Sequence, residues 1–330
     1  MAEVKFGLFL PTRDYQVAET AANWADERGF HSVSLNDHFV SQDGGTGAPQ
    51  LECLSTLTAI AAVTNNVRLV PSVLAASHRS PALLAKMTAT IDNISQGRFT
   101  LGIGSGWNES EYLAHGYRFA DSAERLDRLD ETIEVVKAMW TQDDACYSGR
   151  YEQVEHASSL PRPVQQPHPP IMVGGSSKHL LTIAAKHADI VNLIPPTANG
   201  KDFIKDAAAT VRFDRARLRQ RIELLNQLAT DAGRDPATIE HSGFVLANIS
   251  ADADHSRFER LANRLGFDRL AEAQRSPVAL IGTPDQAIEE LRDRAEEDGI
   301  RYFIVVTTSS ETQQLLADEI LPAFSGACRL

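Results

Sequence analysis

A histidine follows a carboxylate at the end of one short apolar segment. The run Asn36, Asp37, His38 closes a stretch that is apolar enough to be a buried strand. An imidazole titrates near neutrality, so a histidine beside a carboxylate can serve in acid–base or hydride-transfer chemistry. A lone histidine is usually structural. The position at a strand end nevertheless favours a catalytic interpretation of Asp37 and His38.

A second candidate lies in the segment 99–112, FTLGIGSGWNESEY, where glycines recur at positions 102, 104 and 106. Glycine lets a backbone approach a flat ligand closely. The dinucleotide fingerprint G-x-G-x-x-G is not met, because Trp107 or Glu109 occupies the place of its third glycine. The pattern therefore leaves two interpretations open, a cofactor surface beside Trp107 or a strand packed tightly on a helix.

A third candidate is the turn between a predicted strand and a predicted helix. It consists of Gly174, Gly175, Ser176 and Ser177. Backbone N–H groups at a helix start, together with hydroxyls, can bind a phosphate, although capping alone would also explain this turn. Nearer the N-terminus, His78 and Arg79 could hold an anionic part of a ligand or form a loop salt bridge.

Composition excludes several classes of function. The 330-residue chain is 43% hydrophobic and carries a net charge of −12, which disfavours nucleic-acid binding. We expect neither a signal peptide nor a membrane span, and we expect a cytoplasmic protein. Three scattered cysteines without a CxxC motif, and the absence of an HExxH motif, predict no disulfide framework and no metal site.

The candidate functional residues lie at the ends of apolar segments, which alternate along the chain with segments of helical pattern. Eight strands are predicted, at 4–11, 31–39, 67–75, 99–103, 170–175, 189–195, 238–248 and 301–308. Buried parallel strands joined by helices predict a closed (β/α)8 TIM barrel, whose active site lies at the carboxyl ends of the strands. Residues 145–168 break the rhythm and predict an insertion after the fourth unit. We expect a single domain over 1–330.

Several motifs together resemble the luciferase-like monooxygenase superfamily, within it the deazaflavin (coenzyme F420)-dependent oxidoreductases of actinobacterial type. They are SLNDHF, RLVPSVLA, GRFTLGIGSGWNESEY, PRPVQQPHPPIMVGGSSKHL and VALIGTPDQAIEEL. The Asp-His pair resembles the deazaflavin branch, whereas flavin-using members often have Glu-His-His there. The resemblance implies coenzyme F420 as the cofactor, with FMN as the alternative, and a homodimer.

The resemblance also places the cofactor. It implies a non-prolyl cis peptide between Ser72 and Val73 that backs the deazaflavin ring. The residues implied near the ring are Asp37, Ser72, Val73, Ser105, Gly106 and Trp107. Those implied near the phosphate are Gly174, Gly175, Ser176 and Ser177. Trp107 stands where sugar-phosphate dehydrogenases of the family have a glutamate, so the resemblance does not extend to that substrate.

The expected activity is hydride transfer between the deazaflavin and a small molecule with an activated C=C, C=N or carbonyl group. His38 would donate the proton, and Asp37 would orient it. The substrate pocket would be formed by Trp107, Asn108, Glu109 and His78. Two alternatives stay open, an FMN-dependent monooxygenase and a cofactor-binding protein without catalysis.

Overall fold

Parallel strands form the centre of the protein. The computed structural model describes residues 3–42, 47–175, 177–197 and 206–325. Its main sheet contains β1 Lys5–Phe9, β2 Ser32–Leu35, β3 Arg68–Pro71, β4 Leu74–Ala75, β5 Leu101–Gly104, β8 Ile171–Gly174, β9 Ile190–Leu193, β10 Glu240–Ile249, β11 Ala279–Gly282 and β12 Tyr302–Val306. A separate antiparallel pair is formed by β6 Ala145–Ser148 and β7 Gln153–Ala157.

The main sheet closes into a barrel. Its strand order is β3-β2-β1-β12-β10-β9-β8-β5-β4. The two end strands, β3 and β4, are halves of one predicted strand, and a bridge between Leu69 and Phe99 joins this strand to the chain that enters β5. The predicted TIM barrel of eight strands is confirmed. The additional strand β11, which pairs with the second half of β10, was not predicted.

Helices cover the outside of the barrel. They are α1 Tyr15–Glu27, α2 Cys53–Val63, α3 Pro81–Ile94, α4 Glu109–Ala114, α5 Ser122–Thr141, α6 Lys178–His187, α7 Ala207–Arg212, α8 Arg215–Asp231, α9 His255–Arg264, α10 Leu270–Gln274, α11 Pro284–Glu297, α12 Ser310–Leu315 and α13 Leu321–Phe324. Side-chain capping sets several helix starts. Before α11, for example, Thr283 and Gln286 form a capping box. Helices α4 and α7 were not predicted.

The third strand contains the predicted irregularity. The peptide bond between Ser72 and Val73 is cis, and it separates β3 from β4. Neighbouring strands make room for this bulge with glycine. A Cβ on Gly102 would lie 1.8 Å from the carbonyl oxygen of Pro71, and a Cβ on Gly104 or Gly174 would lie 2.9 Å from Val73 methyl carbons.

The predicted insertion is the β6–β7 hairpin, which follows α5 and returns through a proline-rich connection to β8. This agrees with the break expected at 145–168. The prediction of a single domain over 1–330 stays a prediction. Within the described residues, no helix has the length and apolar character needed to cross a membrane.

Candidate active site

A cavity of about 1010 Å³ opens at the carboxyl ends of the barrel strands, where a barrel enzyme is expected to place its active site. The predicted site residues that line it are Asp37, His38, Ser72, Val73, His78, Ser105, Gly106, Trp107, Asn108, Glu109, Gly174, Gly175 and Ser177. Ser176 lies outside the described residues. The sequence therefore located the wall of one cavity from segments far apart in the chain.

His38 is held by a carboxylate that the sequence analysis did not assign. Its Nδ1 lies 2.8 Å from Oε2 of Glu111. The other oxygen of Glu111 accepts the backbone N–H groups of Phe39 at 2.7 Å and Val40 at 3.1 Å. Glu111 thus fixes both the imidazole and the loop that carries it. Because a carboxylate only accepts, it favours the tautomer with the proton on Nδ1 and leaves Nε2 for a ligand.

The carboxylate of Glu111 stays ionised in this position. Its side chain is buried beside His38. Burial alone would raise the pKa of Glu111, but the hydrogen bond and charge of His38 and the two backbone donors hold this pKa below its ordinary value. An ionised carboxylate against an imidazole can stabilise the imidazolium form during proton transfer.

Asp37 does not orient His38, which corrects the predicted pairing. Its two oxygens accept a bidentate pair of hydrogen bonds from Arg79, each 2.8 Å long. One oxygen also accepts the backbone N–H of Ala75 at 3.0 Å. Burial alone would raise the pKa of Asp37, but the hydrogen bonds and charge of Arg79, with His78 close by, hold this pKa well below its ordinary value. Asp37 thereby ties the end of β2 to the chain after β4.

The Asp37–Arg79 ion pair bears on whether His78 and Arg79 hold an anionic ligand or form a loop salt bridge. Arg79 also contacts Glu52 at 2.5 Å, so its donors serve loop salt bridges. His78 is buried, with Nδ1 3.4 Å from Asp37 Oδ2, and neither of its ring nitrogens has a hydrogen-bond partner among the described residues. Its ring packs against Tyr112, with centroids 4.6 Å apart. His78 borders the cavity as a packed wall residue.

Trp107 and Asn108 shape the entrance beside His38. The Trp107 ring meets the His38 ring edge to face, with centroids 5.4 Å apart. Asn108 caps α4, because its side-chain oxygen accepts the N–H of Glu111 at 3.4 Å. Glu109 is exposed in the first turn of α4. The acid at position 111 follows the capping asparagine by three residues, a helix-start pattern that could have revealed both α4 and the direction of Glu111.

Gly106 packs closely against Tyr112 on the side where a side chain would lie. Its φ is +76°, and a Cβ there would lie 2.0 Å from the hydroxyl oxygen of Tyr112. Gly104 and Gly106 also line the cavity. The close packing left open in the sequence analysis is therefore present, and the cofactor surface beside Trp107 stays a prediction.

The turn after β8 is only partly available to a ligand. The N–H of Gly175 donates to the carbonyl oxygen of Asn192 at 3.0 Å. Ser177 is the N-cap of α6, and its hydroxyl accepts the N–H of Leu180 at 3.2 Å. Capping therefore accounts for the Ser177 hydroxyl, while both residues still line the cavity.

Arg125, near the start of α5, is a cavity residue that the sequence analysis missed. Its guanidinium donates to the carbonyl oxygens of Gly106 and Ala120 and lies 4.0 Å from the centroid of the Phe119 ring. Both acceptors are neutral, so the positive charge can still meet an anionic group. Burial lowers the pKa of Arg125 from its ordinary value. A cation near a helix N-terminus is unfavourable because it opposes the helix dipole. The position of Arg125 in the first turns of a predicted helix was therefore the signal in the sequence that could have marked it as functional.

The comparison with known families agrees with the barrel and its motifs. The luciferase-like monooxygenase family matches residues 4–302. The chain belongs to this family. The resemblance inferred from the sequence motifs is confirmed.

Relatives within the family use two kinds of cofactor. The chain is 27% identical over 318 residues to an F420-dependent glucose-6-phosphate dehydrogenase of Amycolatopsis mediterranei, covering 90% of this chain and 91% of that protein. It is 30% identical over 233 residues to an FMNH(2)-dependent dimethylsulfone monooxygenase of Pseudomonas putida, covering 71% of this chain and 62% of that protein. The family is thus one of oxidoreductases and monooxygenases.

A solved structure supports the same fold. The chain superimposes on the monooxygenase RslO1 of Streptomyces bottropensis with a TM-score of 0.77 and 25% sequence identity. The match covers 97% of this chain and 100% of that chain.

Proposed function

We propose that the protein is an F420-dependent oxidoreductase that transfers a hydride between the deazaflavin and a small molecule with an activated C=C, C=N or carbonyl group. The observation that carries the proposal is His38, whose Nδ1 is fixed by Glu111 at 2.8 Å in the wall of the cavity. A single oriented imidazole suits a reaction in which one proton accompanies one hydride.

Features of the cavity fit a deazaflavin with a phosphate tail. A volume of about 1010 Å³ exceeds the range of about 300–1,000 Å³ typical of small-molecule sites, which leaves room for cofactor and substrate. The backbone at Ser72 and Val73 would lie behind the ring. Arg125 offers a buried positive charge whose acceptors are neutral, and the phosphate would lie between it and the start of α6.

The protein's residues would have separate tasks. When bound, a deazaflavin supplies or accepts a hydride at a carbon atom. His38 would give a proton to the substrate, or take one from it, at Nε2. Glu111 would keep the ring oriented and stabilise its charged form. Trp107, in contact with the His38 ring, would limit the access of water to that nitrogen.

The identity of residue 107 argues against a sugar phosphate as substrate. Glucose-6-phosphate dehydrogenases resemble this chain over most of its length, but the tryptophan stands where the resemblance implies a glutamate. An indole cannot exchange a proton in that role. An apolar wall beside His38 fits a less polar substrate.

The second candidate is an FMN-dependent monooxygenase on the same scaffold. The observation that favours it is the similarity to the FMNH(2)-dependent enzyme of Pseudomonas putida. Against it stands the sequence after β2, where Phe39 follows His38 in place of the second histidine that flavin-using members often have.

Cofactor binding and turnover test the proposal. Fluorescence titrations should give tighter binding of F420 than of FMN, and turnover with reduced F420 should proceed without oxygen. Strict oxygen consumption with reduced FMN, and no turnover with F420, would establish the second candidate instead. His38→Ala should abolish most turnover with little change in cofactor affinity. The control is His255→Ala, whose exposed side chain is on α9 beside Glu259. Activity that survives His38→Ala within a few-fold contradicts the assigned role.

A further inference from the structure

The β6–β7 hairpin brings together three side chains of the kinds that bind zinc. We propose that Asp144, Cys146 and His156 bind a divalent cation of the zinc class. One ligand atom from each of the three lies within 4.8 Å of those of the other two. The group lies outside the residues that line the candidate active site, so the proposal does not depend on the proposed function.

The local sequence explains why these residues meet. Asp144 directly precedes β6 and Cys146 is the second residue of β6, so they occupy alternate positions, which in an extended chain point to the same face. In the hairpin register Ala145 lies opposite Ala157, whereas Tyr147 lies opposite Val154. The second strand therefore has one extra residue, which forms a bulge.

His156 sits in this bulge with a φ of +50°. The left-handed region is uncommon for residues other than glycine, although histidine, asparagine and aspartate adopt it more readily than most. The bulge brings the imidazole to the face that carries Asp144 and Cys146. Linear spacing alone does not reveal this arrangement, since the histidine is ten residues beyond the cysteine.

The three side chains are near the spacing that a metal ion requires. His156 Nδ1 is hydrogen-bonded to Asp144 Oδ2 at 2.9 Å, and one ligand atom of each residue lies within 4.8 Å of those of the other two. The backbone N–H of His156 also donates to Cys146 Sγ at 3.4 Å, which holds the cysteine beside the histidine. Tetrahedral zinc with the usual bond lengths separates its ligand atoms by about 3.3–3.6 Å, so binding would require small side-chain shifts. The side chains of His156 and Asp144 are 72% and 63% exposed, which leaves them room to shift and lets the ion enter from solvent.

The chemical types of the three ligand atoms determine which metal ions the site would prefer. A thiolate and an imidazole favour zinc, cobalt or cadmium over magnesium or calcium, which prefer oxygen ligands. Three protein ligands leave the fourth position of a tetrahedral site to water. Such an ion would join β6 to β7, because two ligands precede the hairpin turn and the third follows it.

Cobalt(II) titration tests the site, because cobalt bound to a thiolate gives a ligand-to-metal charge-transfer band in the near ultraviolet. The test uses the full chain without an affinity tag, under reducing conditions, with Cys328→Ser as the common background. Cys53 is buried at 1% exposure and does not compete. We expect a band that saturates at one equivalent of cobalt and is displaced by zinc but not by magnesium.

The variants distinguish a loss of metal coordination from a loss of the hairpin structure. Cys146→Ser should remove the band, and both Cys146→Ser and His156→Asn should weaken zinc binding at least about tenfold, the lower bound for loss of even an outer-shell partner. Asparagine tolerates the left-handed backbone at position 156, so the hairpin should persist. His255→Asn is the matched control, since His255 forms an exposed pair with Glu259 on α9 and is not one of the three proposed ligands. No charge-transfer band, or a band that survives Cys146→Ser, overturns the proposal.

Discussion

Glu111→Gln isolates the contact on which the proposed proton transfer depends. The glutamate makes three hydrogen bonds, at 2.7 and 3.1 Å to the N–H groups of Phe39 and Val40 and at 2.8 Å to Nδ1 of His38. Glutamine has the same shape and retains one acceptor oxygen for the two backbone donors. Its other position becomes an amide NH₂, which can only donate to His38. The change therefore favours the tautomer with the proton on Nε2.

The expected magnitude follows from the loss of one charge-assisted hydrogen bond. Hydrogen bonds to charged groups contribute about 1.5–3 kcal/mol. If that energy stabilises the transition state, its loss lowers kcat about 10- to 150-fold. The backbone bonds are retained as neutral bonds, so the loop stays in place and cofactor affinity should change by less than about threefold, or about 0.7 kcal/mol.

Three measurements make the test decisive. Steady-state kinetics give kcat, fluorescence titration gives cofactor affinity, and nitrogen-15 spectra of the imidazole report which ring nitrogen of His38 carries the proton. Glu289→Gln, an exposed glutamate of α11, removes the same charge away from the cavity and should change none of them. A variant whose spectrum shows the altered tautomer but whose kcat stays within threefold of the parent refutes the positioning role of Glu111.

Three further predictions test the charge, the packing and the acid stability of the site. Arg125→Met should weaken binding of a phosphate-bearing cofactor about tenfold or more, by fluorescence titration, because it removes a buried cation. Gly106→Ala should destabilise the fold by about 2–4 kcal/mol in urea unfolding, and Tyr112→Phe in the same chain should recover part of this. Because the pKa values of Glu111 and Asp37 lie below their ordinary values of 4.5 and 3.8, their stabilisation is complete above about pH 4.5. It should be lost as pH falls further, and unchanged urea midpoints down to pH 3 would contradict it.

The barrel was predictable because each strand carries its own signal. Continuous apolar runs, such as the one containing β12, are typical of parallel strands covered on both faces. The additional strand β11 escaped prediction because it joins the sheet through only the second half of β10. The six-residue helix α4 escaped because it is shorter than the window of about 11–18 residues over which a helical period of apolar residues can be recognised.

The sequence predicted where the candidate site lies, but only some of the contacts between its side chains. Adjacent residues Asp37 and His38 suggested a pair, but successive side chains near a strand end point to opposite sides. Asp37 consequently meets Arg79, while His38 meets Glu111 from another loop. Contacts of this kind depend on how separate units of the barrel face one another, and spacing within one segment does not determine them. The assignments of catalytic and cofactor-binding roles, and the homodimer, stay predictions.

The glycines of 102–106 link the packing of the barrel strands to the contacts of the candidate site. A Cβ on Gly102 would lie 1.8 Å from the Pro71 oxygen, a backbone atom that cannot move aside without disturbing β3. The glycine is therefore required by the bulge, and the bulge in turn presents Ser72 and Val73 to the cavity. His38 follows β2 on one side of this bulged strand, and Glu111 follows β5 on the other. A change of Gly102 to alanine should therefore disturb the cavity and the His38–Glu111 contact together, although the atoms nearest to the added Cβ belong to Pro71 and Met172 and not to this pair.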